Sequence, residues 1–361
     1  MADPRAEITA LWVMLGDARK ASSRVRGYWL HGPLAALGVR SRSILTPTRG
    51  AVAAAWFRAL RADVVILQKQ YSRWHVLLAR ALRLIGKPVV LDLDDTPSWR
   101  GDPTTQRNAE RLMGIASAVT VGSEALRDQA AGFNSSVSLI PSCVDPDEYG
   151  PPRAPEGDGR PLTLGWIGNG RTYGEDLVGI LEGPLRSLAA RRPLRFRVVG
   201  AMGHPALESR LADIPGLELE LIHSIDWALP GATREALEGV DVGLYPLLDT
   251  EANRFKCGFK GIEYMALGLP VIASDCRAHR SILGDGQEGF LCADEADWTR
   301  ALETLTEDPV LRQKMGERGR ARVEEAFTTR RAAAAVRQVL DGVLGGSSTE
   351  AGERSGGVSG D

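Results

Sequence analysis

The sequence lacks a long hydrophobic run. None of its apolar runs approaches the roughly 20 residues that a membrane-spanning helix needs. The start of the chain also lacks the basic segment, apolar stretch and cleavage site of a secretion signal. We therefore expect a cytoplasmic protein. Its 361 residues, 43% of them hydrophobic, suffice for two ordinary globular domains.

Cysteine and histidine are few, and they form no disulfide or metal-binding pattern. The four cysteines include no C-x-x-C pair, which argues against a disulfide framework and a structural zinc site. None of the five histidines has the spacing of metal ligands. We therefore expect no bound metal. We interpret the cysteines as buried thiols; they are Cys143, Cys257, Cys276 and Cys292.

Acidic residues are scarce in the first quarter of the chain. Residues 1–91 contain 15 Lys or Arg against four Asp or Glu, although the whole chain has a net charge of only −2. A basic face suits an anionic acceptor or a phospholipid surface at the inner face of a membrane, and a solvated arginine-rich surface explains the composition equally well. We expect no nucleic-acid partner, because aromatic residues do not interleave with the basic ones.

Runs that predict strands alternate with amphipathic stretches that predict helices. Such alternation indicates parallel sheets covered by helices. A polar stretch rich in proline and glycine follows Pro141 and separates two sets of runs. The predicted strands are 11–15, 63–67, 89–93, 118–121 and 137–140 before this stretch, and 162–167, 196–199, 217–221, 240–245 and 270–273 after it.

We predict from this pattern an α/β fold with two Rossmann-like, doubly wound domains. Ligands of such sheets bind at the carboxyl ends of the strands, and we expect two sheets joined by one linker to face each other across a cleft. The predicted division is 1–148 for the N-terminal domain, 149–160 for the linker, 161–327 for the C-terminal domain, 328–344 for a helix that packs back toward the N-terminal domain, and 345–361 for a disordered tail.

A glycine-rich turn follows the predicted strand at 162–167. Gly168 and Gly170 permit a tight turn, and the helix that begins behind them directs its amino terminus toward the turn. Backbone amides and a helix dipole in this arrangement suit a phosphate group. The spacing is not the G-x-G-x-x-G fingerprint of dinucleotide binding, and a purely structural turn fits the same residues.

Lys260 and Glu263 lie three residues apart near the start of a predicted helix, and therefore on one face of it. The lysine can neutralise a diphosphate, and the glutamate can accept two hydrogen bonds from a ribose diol. A surface ion pair is the alternative. The apolar residues 264–266 predict that Glu263 is partly buried, which favours a functional role.

Several segments resemble the GT-B glycosyltransferases, and within them the large retaining group often called family 4. Lys260-Gly-Ile-Glu-Tyr-Met-Ala-Leu-Gly-Leu-Pro-Val-Ile-Ala273 resembles the donor-site helix of that family. Ile140–Asp145 resembles its interdomain link, and Asp308–Phe327 is similar to its carboxyl-terminal helix. The resemblance extends from about Ala118 to Leu340.

The resemblance implies a hexosyl- or related transferase that moves a sugar from a nucleotide-diphosphate sugar to an acceptor with retention of configuration. The N-terminal domain would then hold the acceptor and the C-terminal domain the donor. It implies no permanently bound cofactor and no metal. Arg171 and Lys260 would stabilise the leaving diphosphate, so no dedicated nucleophile is required. The residues that it places at the donor are Gly168, Asn169, Arg171, Ile225, Lys256, Gly258, Lys260 and Glu263.

The chain departs from the family pattern on the donor side. Phe255 stands eight residues before Glu263, where many members carry a first glutamate that contacts the sugar. Lys256 or Arg254 could replace that contact. The departure leaves the donor sugar open.

A second departure lies in the N-terminal half. The chain has Asp92-Leu-Asp-Asp95 where many members carry a histidine near the sugar. Asp92 and Asp94 imitate a D-x-D metal motif. We give this interpretation less weight, because helix dipoles and basic side chains hold the diphosphate in GT-B-like sheets, and we expect Asp94 or Asp95 to contact a sugar or acceptor hydroxyl.

Other choices stay open at this stage. The loop Asp17–Arg26 resembles the acceptor-side loop of the family, although Arg24 and Arg26 could equally be solvated. A nucleotide-sugar epimerase, or a non-catalytic partner that binds nucleotide sugars, would share the same donor site. A sugar, a lipid-linked molecule and a small molecule all remain candidate acceptors, and the sequence does not determine the oligomeric state.

Overall fold

The computed structural model of the protein describes residues 7–97, 101–151 and 160–352, with side chains up to residue 345. Contacts divide the chain into two compact units. The first comprises Met1–Ser142 together with Thr329–Asp361, and the second comprises Cys143–Thr328. Within the described ranges, no helix is both long and apolar enough to cross a membrane.

The first unit contains a sheet of six parallel strands in its described part. The strands are β1 (Ile8–Met14), β2 (Val39–Leu45), β3 (Val64–Gln68), β4 (Val89–Leu93), β5 (Ala118–Val121) and β6 (Val137–Leu139). Their order, β2-β1-β3-β4-β5-β6, puts the topological switch point between β1 and β3. All residues of β3 and β4 are buried, as their continuous apolar runs require in a parallel sheet.

Helices connect these strands. They are α1 (Ala21–Arg26), α2 (His31–Ala36), α3 (Arg49–Ala59), α4 (Arg73–Leu84), α5 (Pro103–Ile115) and α6 (Glu124–Ala131). Side-chain caps define several of their starts. Ser72 begins α4 because its hydroxyl accepts a hydrogen bond from the backbone N–H of His75, and Asp102 caps α5 in front of a proline at the first helical position.

The second unit repeats the architecture with a different strand order. In its described part, the sheet consists of β7 (Leu162–Ile167), β8 (Leu194–Val199), β9 (Leu217–Ile222), β10 (Val242–Tyr245), β11 (Val271–Ser274) and β12 (Gly289–Cys292). The order β12-β11-β10-β7-β8-β9 is that of a Rossmann fold, with the switch point between β7 and β10. The helices are α7 (Gly170–Ala189), α8 (Ala232–Ala236), α9 (Phe259–Ala266), α10 (Arg277–Arg280), α11 (Glu295–Glu307) and α12 (Pro309–Ala326).

Helix α13 (Thr329–Gly352) belongs to the first unit. It packs on α2, and the Arg337 guanidinium donates a hydrogen bond to the carbonyl of Leu37 at 2.6 Å. We expected a helix that ends at residue 344, followed by a disordered tail. Composition does not exclude propagation of a helix that has already formed, and here the backbone stays helical to Gly352. The remainder of the expected tail, 353–361, and residues 152–159 of the expected linker lie outside the described residues.

The prediction of two doubly wound α/β domains is confirmed. Each predicted strand coincides with an observed one, but the sequence analysis did not identify β2 or β12. Both are edge strands. Arginine and serine interrupt the apolar pattern of β2, and β12 begins with a glycine and is only partly buried, so neither produces the apolar run of a central strand.

Candidate functional site

The glycine turn after β7 lies at the switch point of the second sheet. A Cβ on Gly168 would lie 2.5 Å from Cε of Lys260 and 2.9 Å from the Trp166 ring. A Cβ on Gly170 would lie 2.3 Å from the carbonyl oxygen of Ala201. The backbone of Ala201 therefore excludes a larger residue at position 170, whereas a larger residue at position 168 would displace the Lys260 side chain.

Asn169 and Arg171 occupy the amino terminus of α7. The Asn169 side chain caps the helix by accepting a hydrogen bond from the backbone N–H of Thr172 at 3.2 Å. Arg171 is exposed in the first turn, and its side chain makes no ion pair with any residue that the structure describes. A guanidinium and the positive end of a helix dipole are thus available together.

Lys260 extends into a cage of three aromatic rings. Its Nζ lies 4.5 Å from the ring centre of Tyr173, 4.7 Å from that of Tyr245 and 5.6 Å from that of Trp166. These distances permit cation–π attraction. Gly258 begins α9 in the left-handed conformation, with φ of 67° and a Cβ position only 2.7 Å from Ile282. This tight start directs the first turn of α9 toward the glycine turn.

The charge of Lys260 is poorly compensated. Burial lowers the pKa of its ammonium to about 8, and the positive charge of Lys256 acts in the same direction, whereas Glu263 and Asp176 oppose the change. Among the described residues, no carboxylate forms an ion pair with Lys260. A cation held in this way gains stabilisation from any anion that enters the site.

Glu263 is buried one turn along α9, with 4% of its surface exposed. Its Oε1 accepts hydrogen bonds from the Tyr149 hydroxyl at 3.1 Å and the Thr233 hydroxyl at 3.3 Å. These donors fix the orientation of the carboxylate and reduce the unfavourable effect of its burial. This buried carboxylate is therefore not one half of a solvated surface ion pair, which was the alternative interpretation of Lys260 and Glu263.

Tyr264 joins the two strands on either side of the switch point. Its hydroxyl accepts a hydrogen bond from the backbone N–H of Ile167 at 3.0 Å and donates one to the carbonyl of Leu244 at 3.2 Å. A Cβ on Gly243 would lie 2.4 Å from the Tyr264 ring, so β10 needs glycine there. The phenol satisfies backbone groups that the diverging strands leave unpaired.

The loop after β10 arranges the other cations near α9. Arg254 pairs with Asp249 at 2.9 and 3.0 Å on the protein surface. Lys256 instead lies over the ring of Tyr173, with its Nζ 5.6 Å from the ring centre. Of the two residues that could replace the missing glutamate, Lys256 is the one that shares an aromatic ring with Lys260.

Asp176, on α7, supports the same loop. Its carboxylate accepts hydrogen bonds from the backbone N–H of Leu248 at 3.0 Å and from the Asn253 amide at 3.1 Å. Burial raises the pKa of Asp176, while these hydrogen bonds and the charge of Lys260 oppose the rise. The residue thus ties the loop after β10 to the helix that follows the glycine turn.

Ile225 is half-buried in the loop that follows β9. This loop runs beside the one after β8, because the N–H groups of Gly200 and Ala201 both donate to the carbonyl of Ile222, at 2.7 and 3.1 Å. A Cβ on Gly200 would lie 1.9 Å from the carbonyl oxygen of Gly168. The three loops at the carboxyl ends of β7, β8 and β9 are therefore in sequential contact.

Asp94 lies in the first unit, whereas the other expected site residues lie in the second. Its carboxylate is 2.8 Å from the ammonium of Lys69, which also contacts Asp95 at 2.6 Å. Burial alone would lower the pKa of Lys69, but these two carboxylates raise it well above its usual value. Among the residues that the structure describes, no group of three or more His, Cys, Asp or Glu is arranged to hold a metal ion.

Asp92, the other carboxylate of the D-x-D pattern, pairs with Arg26 through two hydrogen bonds of 2.6 and 3.2 Å. Thr120 donates a third at 2.7 Å. Arg24 is equally buried, donates to the carbonyl of Ala18 at 3.2 Å and packs on a tryptophan ring. The interpretation of Arg24 and Arg26 as solvated arginines is wrong, because both are buried, Arg26 on the Asp92 carboxylate and Arg24 on carbonyl groups of the loop after β1.

Comparison with known proteins adds two findings. Residues 163–308 match the family described as glycosyl transferases group 1. The structure is similar to that of HepE from Anabaena in complex with UDP-glucose, with a TM-score of 0.70, 15% identity, and coverage of 93% of this chain and 100% of that one. The fold is GT-B. At this identity the likeness concerns the GT-B fold alone.

Curated relatives match part of the chain. A putative glycosyltransferase, EpsD of Bacillus subtilis, is 31% identical over 144 residues, which are 39% of this chain and 30% of that protein. The phosphatidyl-myo-inositol mannosyltransferase of Mycolicibacterium smegmatis is 31% identical over 209 residues, 55% of this chain and 50% of that protein. The chain thus spans half or less of the length of these two relatives.

Sequence reasoning missed most of the residues that surround the expected ones. Trp166 and Tyr173 flank the glycine turn, and that flanking position was an available signal for them. No local pattern in the sequence pointed to Tyr149, because 114 residues separate it from Glu263. The missed residues are Tyr149, Trp166, Tyr173, Asp176, Thr233, Tyr245 and Asn253.

Proposed function

We propose that this protein is a glycosyltransferase that transfers a sugar from a nucleotide-diphosphate sugar to an acceptor, with retention of anomeric configuration. The observation that carries the proposal is the arrangement of Lys260 and Glu263 at the switch point of the second sheet. A weakly compensated ammonium directly over Gly168 and a buried, oriented carboxylate one turn away are complementary to a diphosphate and a ribose. The match to glycosyl transferases group 1 covers the same residues.

The donor would occupy the second unit in a defined orientation. Glu263 accepts hydrogen bonds from the ribose hydroxyls, because a carboxylate can accept from both hydroxyls of a diol. Lys260, Arg171 and the amino terminus of α7 neutralise the diphosphate. Backbone near Ile225 contacts the base, and Lys256 contacts the sugar in place of the absent glutamate.

The chemistry then requires electrostatic stabilisation more than any nucleophile. The bond between the anomeric carbon and the diphosphate oxygen breaks, and the acceptor oxygen forms its bond to the same face of that carbon. The acceptor proton passes to the departing diphosphate oxygen. Arg171 and Lys260 stabilise the negative charge that grows on this oxygen, which is the interaction that lowers the barrier. Asp94 contacts an acceptor hydroxyl from the first unit.

Nucleotide binding is the first test. Uridine, guanosine, adenosine and cytidine diphosphates, and their common sugar conjugates, are added to the protein while its thermal midpoint is followed. One nucleotide should stabilise the protein in proportion to its occupancy of the site. Glu263→Gln should abolish this shift, whereas Glu325→Gln, a matched change of an exposed glutamate on α12, should leave it intact. Equal shifts in the two variants would contradict the assignment.

Product analysis separates the proposal from its alternatives. With the stabilising nucleotide sugar, transfer to sugar, inositol-containing and lipid-linked acceptors is followed by chromatography, and the anomeric configuration of the product by NMR. A product of inverted configuration would contradict retention. Conversion of the sugar without an acceptor would indicate an epimerase, and tight binding without turnover across all acceptors would favour a non-catalytic partner.

A further inference from the structure

The backbone of the glycine turn after β7 has few amide donors left for a ligand. The N–H of Gly168 donates to a carbonyl of β8 at 2.9 Å, and that of Gly170 donates to the carbonyl of Gly200 at 2.7 Å. Asn169 accepts from the N–H of Thr172. The glycines of this turn therefore provide space for an anion, whereas side chains must provide most of its hydrogen-bond donors.

Trp227 lies beside this turn, in the loop that follows β9. A Cβ on Gly200 would lie 3.3 Å from Cζ2 of the Trp227 indole and 1.9 Å from the carbonyl oxygen of Gly168. The indole is therefore adjacent to the place where the glycine turn meets the loop after β8. Cζ2 lies on the same side of the ring system as Nε1. The side of the indole that carries the N–H is thus the side nearest to the turn.

Hydrogen bonds at several points hold the loop that contains Trp227. Asp226 forms a tight turn around it, because its carboxylate accepts from the N–H of Ala228 at 3.1 Å. Farther along, the hydroxyl of Thr233 donates to the carboxylate of Glu263 at 3.3 Å. The loop therefore runs from the end of β9 to the carboxylate that binds the ribose in the proposed function, and Trp227 lies between these two points.

The indole N–H of Trp227 makes no hydrogen bond to any residue that the structure describes. The side chain is half-buried, and its Nε1 is not enclosed by the protein. Trp12, in the core of the first unit, is different: it is 2% exposed and its N–H donates to the Ser41 hydroxyl at 3.3 Å. A tryptophan that only fills a core usually bonds its N–H in this way.

The surroundings of Trp227 favour an anion as the acceptor for this N–H. The Lys260 side chain passes over Gly168, on the same turn, and its ammonium forms no ion pair with the described carboxylates. Arg171 is exposed in the first turn of α7 behind it. An ammonium, a guanidinium and an indole N–H are thus grouped around one backbone turn, and a diphosphate has enough oxygen atoms to accept from all three.

We propose that the indole N–H of Trp227 donates a hydrogen bond to a diphosphate oxygen of the bound nucleotide. This inference rests on the proposed function, because it concerns the same site. A neutral N–H strengthens binding without adding a charge, and its hydrogen bond to an anion is stronger than one between neutral groups. Stacking on the base is the other role that an aromatic side chain has at nucleotide sites. Stacking would use the face of the ring, whereas the proposed contact uses the N–H.

Titration calorimetry on the full chain separates these two roles. The ligand is the nucleoside diphosphate that raises the thermal midpoint of the protein. Trp227→Phe keeps an aromatic ring and loses the N–H, so affinity should fall by about tenfold. Inorganic pyrophosphate, measured by competition with that nucleotide, should lose affinity by the same factor, because it contains the phosphates but neither ribose nor base.

A control variant and a second measurement accompany the titrations. Trp56→Phe changes a half-buried tryptophan of α3 in the first unit and should bind both ligands as the parent does. The indole N–H signals of the eight tryptophans are also followed by NMR in the parent protein. The signal that is missing from the spectrum of Trp227→Phe should move downfield when pyrophosphate is added, and the signal that is missing from Trp56→Phe should not move.

Three outcomes would overturn the proposal. The first is that Trp227→Phe binds both ligands as tightly as the parent. The second is a loss of nucleotide affinity in Trp227→Ala but not in Trp227→Phe, with pyrophosphate unaffected, which would assign the ring to stacking on the base. In both cases a loss of nucleotide binding in Glu263→Gln would leave the proposed function intact. The third is a parent protein that binds no nucleoside diphosphate, which would contradict the proposed function itself.

Discussion

Lys260→Met removes an ammonium from its aromatic cage and leaves a side chain of similar length in the same space. Burial, followed by the charge of Lys256, lowers the pKa of Lys260 from 10.5 to about 8, and each unit of pKa corresponds to about 1.4 kcal/mol. Partial exposure and the lost cation–π attraction reduce the net effect. We expect the free energy of unfolding at pH 7 to rise by about 1 to 2 kcal/mol in the variant.

The same pKa difference determines how stability varies with pH. Between about pH 8, where the folded protein releases the Lys260 proton, and pH 10.5, where the unfolded chain does, the unfolded chain binds more protons. The free energy of unfolding of the parent should therefore rise with pH across this window. This contribution should be absent from Lys260→Met, as urea unfolding followed by circular dichroism at several pH values can show.

The affinity for nucleoside diphosphate should fall in Lys260→Met, whereas the free energy of unfolding rises. Loss of the ammonium removes one charged partner in a half-buried site, which should weaken binding of the preferred nucleoside diphosphate by about 100-fold. In the parent, affinity should fall above pH 8 by about tenfold per pH unit until it reaches that of the variant, because the protonated lysine binds the anion more tightly than the neutral one. Isothermal titration calorimetry measures both effects.

The combination of higher stability and lower affinity separates a binding role from a structural one. Lys314→Met, a matched change of an exposed lysine on α12, should alter neither quantity by a measurable amount. The reasoning would be refuted by a Lys260→Met variant that is less stable than the parent. It would also be refuted by nucleoside diphosphate affinity within a few fold of the parent value.

Three further substitutions test the framework of the two units. Gly168→Ala places a methyl group 2.5 Å from the Lys260 side chain and should weaken nucleotide affinity at least about tenfold. The control Gly179→Ala, whose methyl group meets nothing within 4 Å, should bind the nucleotide as the parent does. Equal affinities of the two variants by calorimetry would contradict this prediction. Tyr264→Phe leaves two buried backbone groups without a partner and should reduce the free energy of unfolding by about 1 to 3 kcal/mol; unchanged urea unfolding would contradict it. Asp92→Asn leaves a buried arginine without its counter-charge and should reduce that free energy by about 3 to 5 kcal/mol, so a thermal midpoint equal to that of the parent would exclude a structural role for the pair.

Periodic patterns in the sequence determined most of the fold. Continuous apolar runs identified the central strands because both faces of a parallel sheet are buried. The edge strands β2 and β12 were not predicted, because partial exposure at a sheet edge permits polar residues and glycine, which interrupt the apolar run. The order of the strands in each sheet could not be predicted from the sequence, because it depends on contacts between elements that are distant in the chain.

The sequence alone also determined the core of the candidate donor site. Lys260 and Glu263 lie on one face of α9 by helical geometry, and Gly168 ends a strand at the position where a sheet binds its ligand. Both relations are local. Chain spacing and backbone sterics therefore suffice to infer them.

Only the tertiary structure decided the environment of these groups. Trp166, Tyr173 and Tyr245 come from β7, α7 and β10, and they surround one ammonium only because the strand order places the ends of β7 and β10 side by side. Likewise, the burial of Arg26 against Asp92 excluded one of the two interpretations that the sequence left open for this arginine. The burial of a side chain and its pKa depend on the atoms that surround it. Folding brings these atoms together from distant parts of the chain, so local sequence does not determine them.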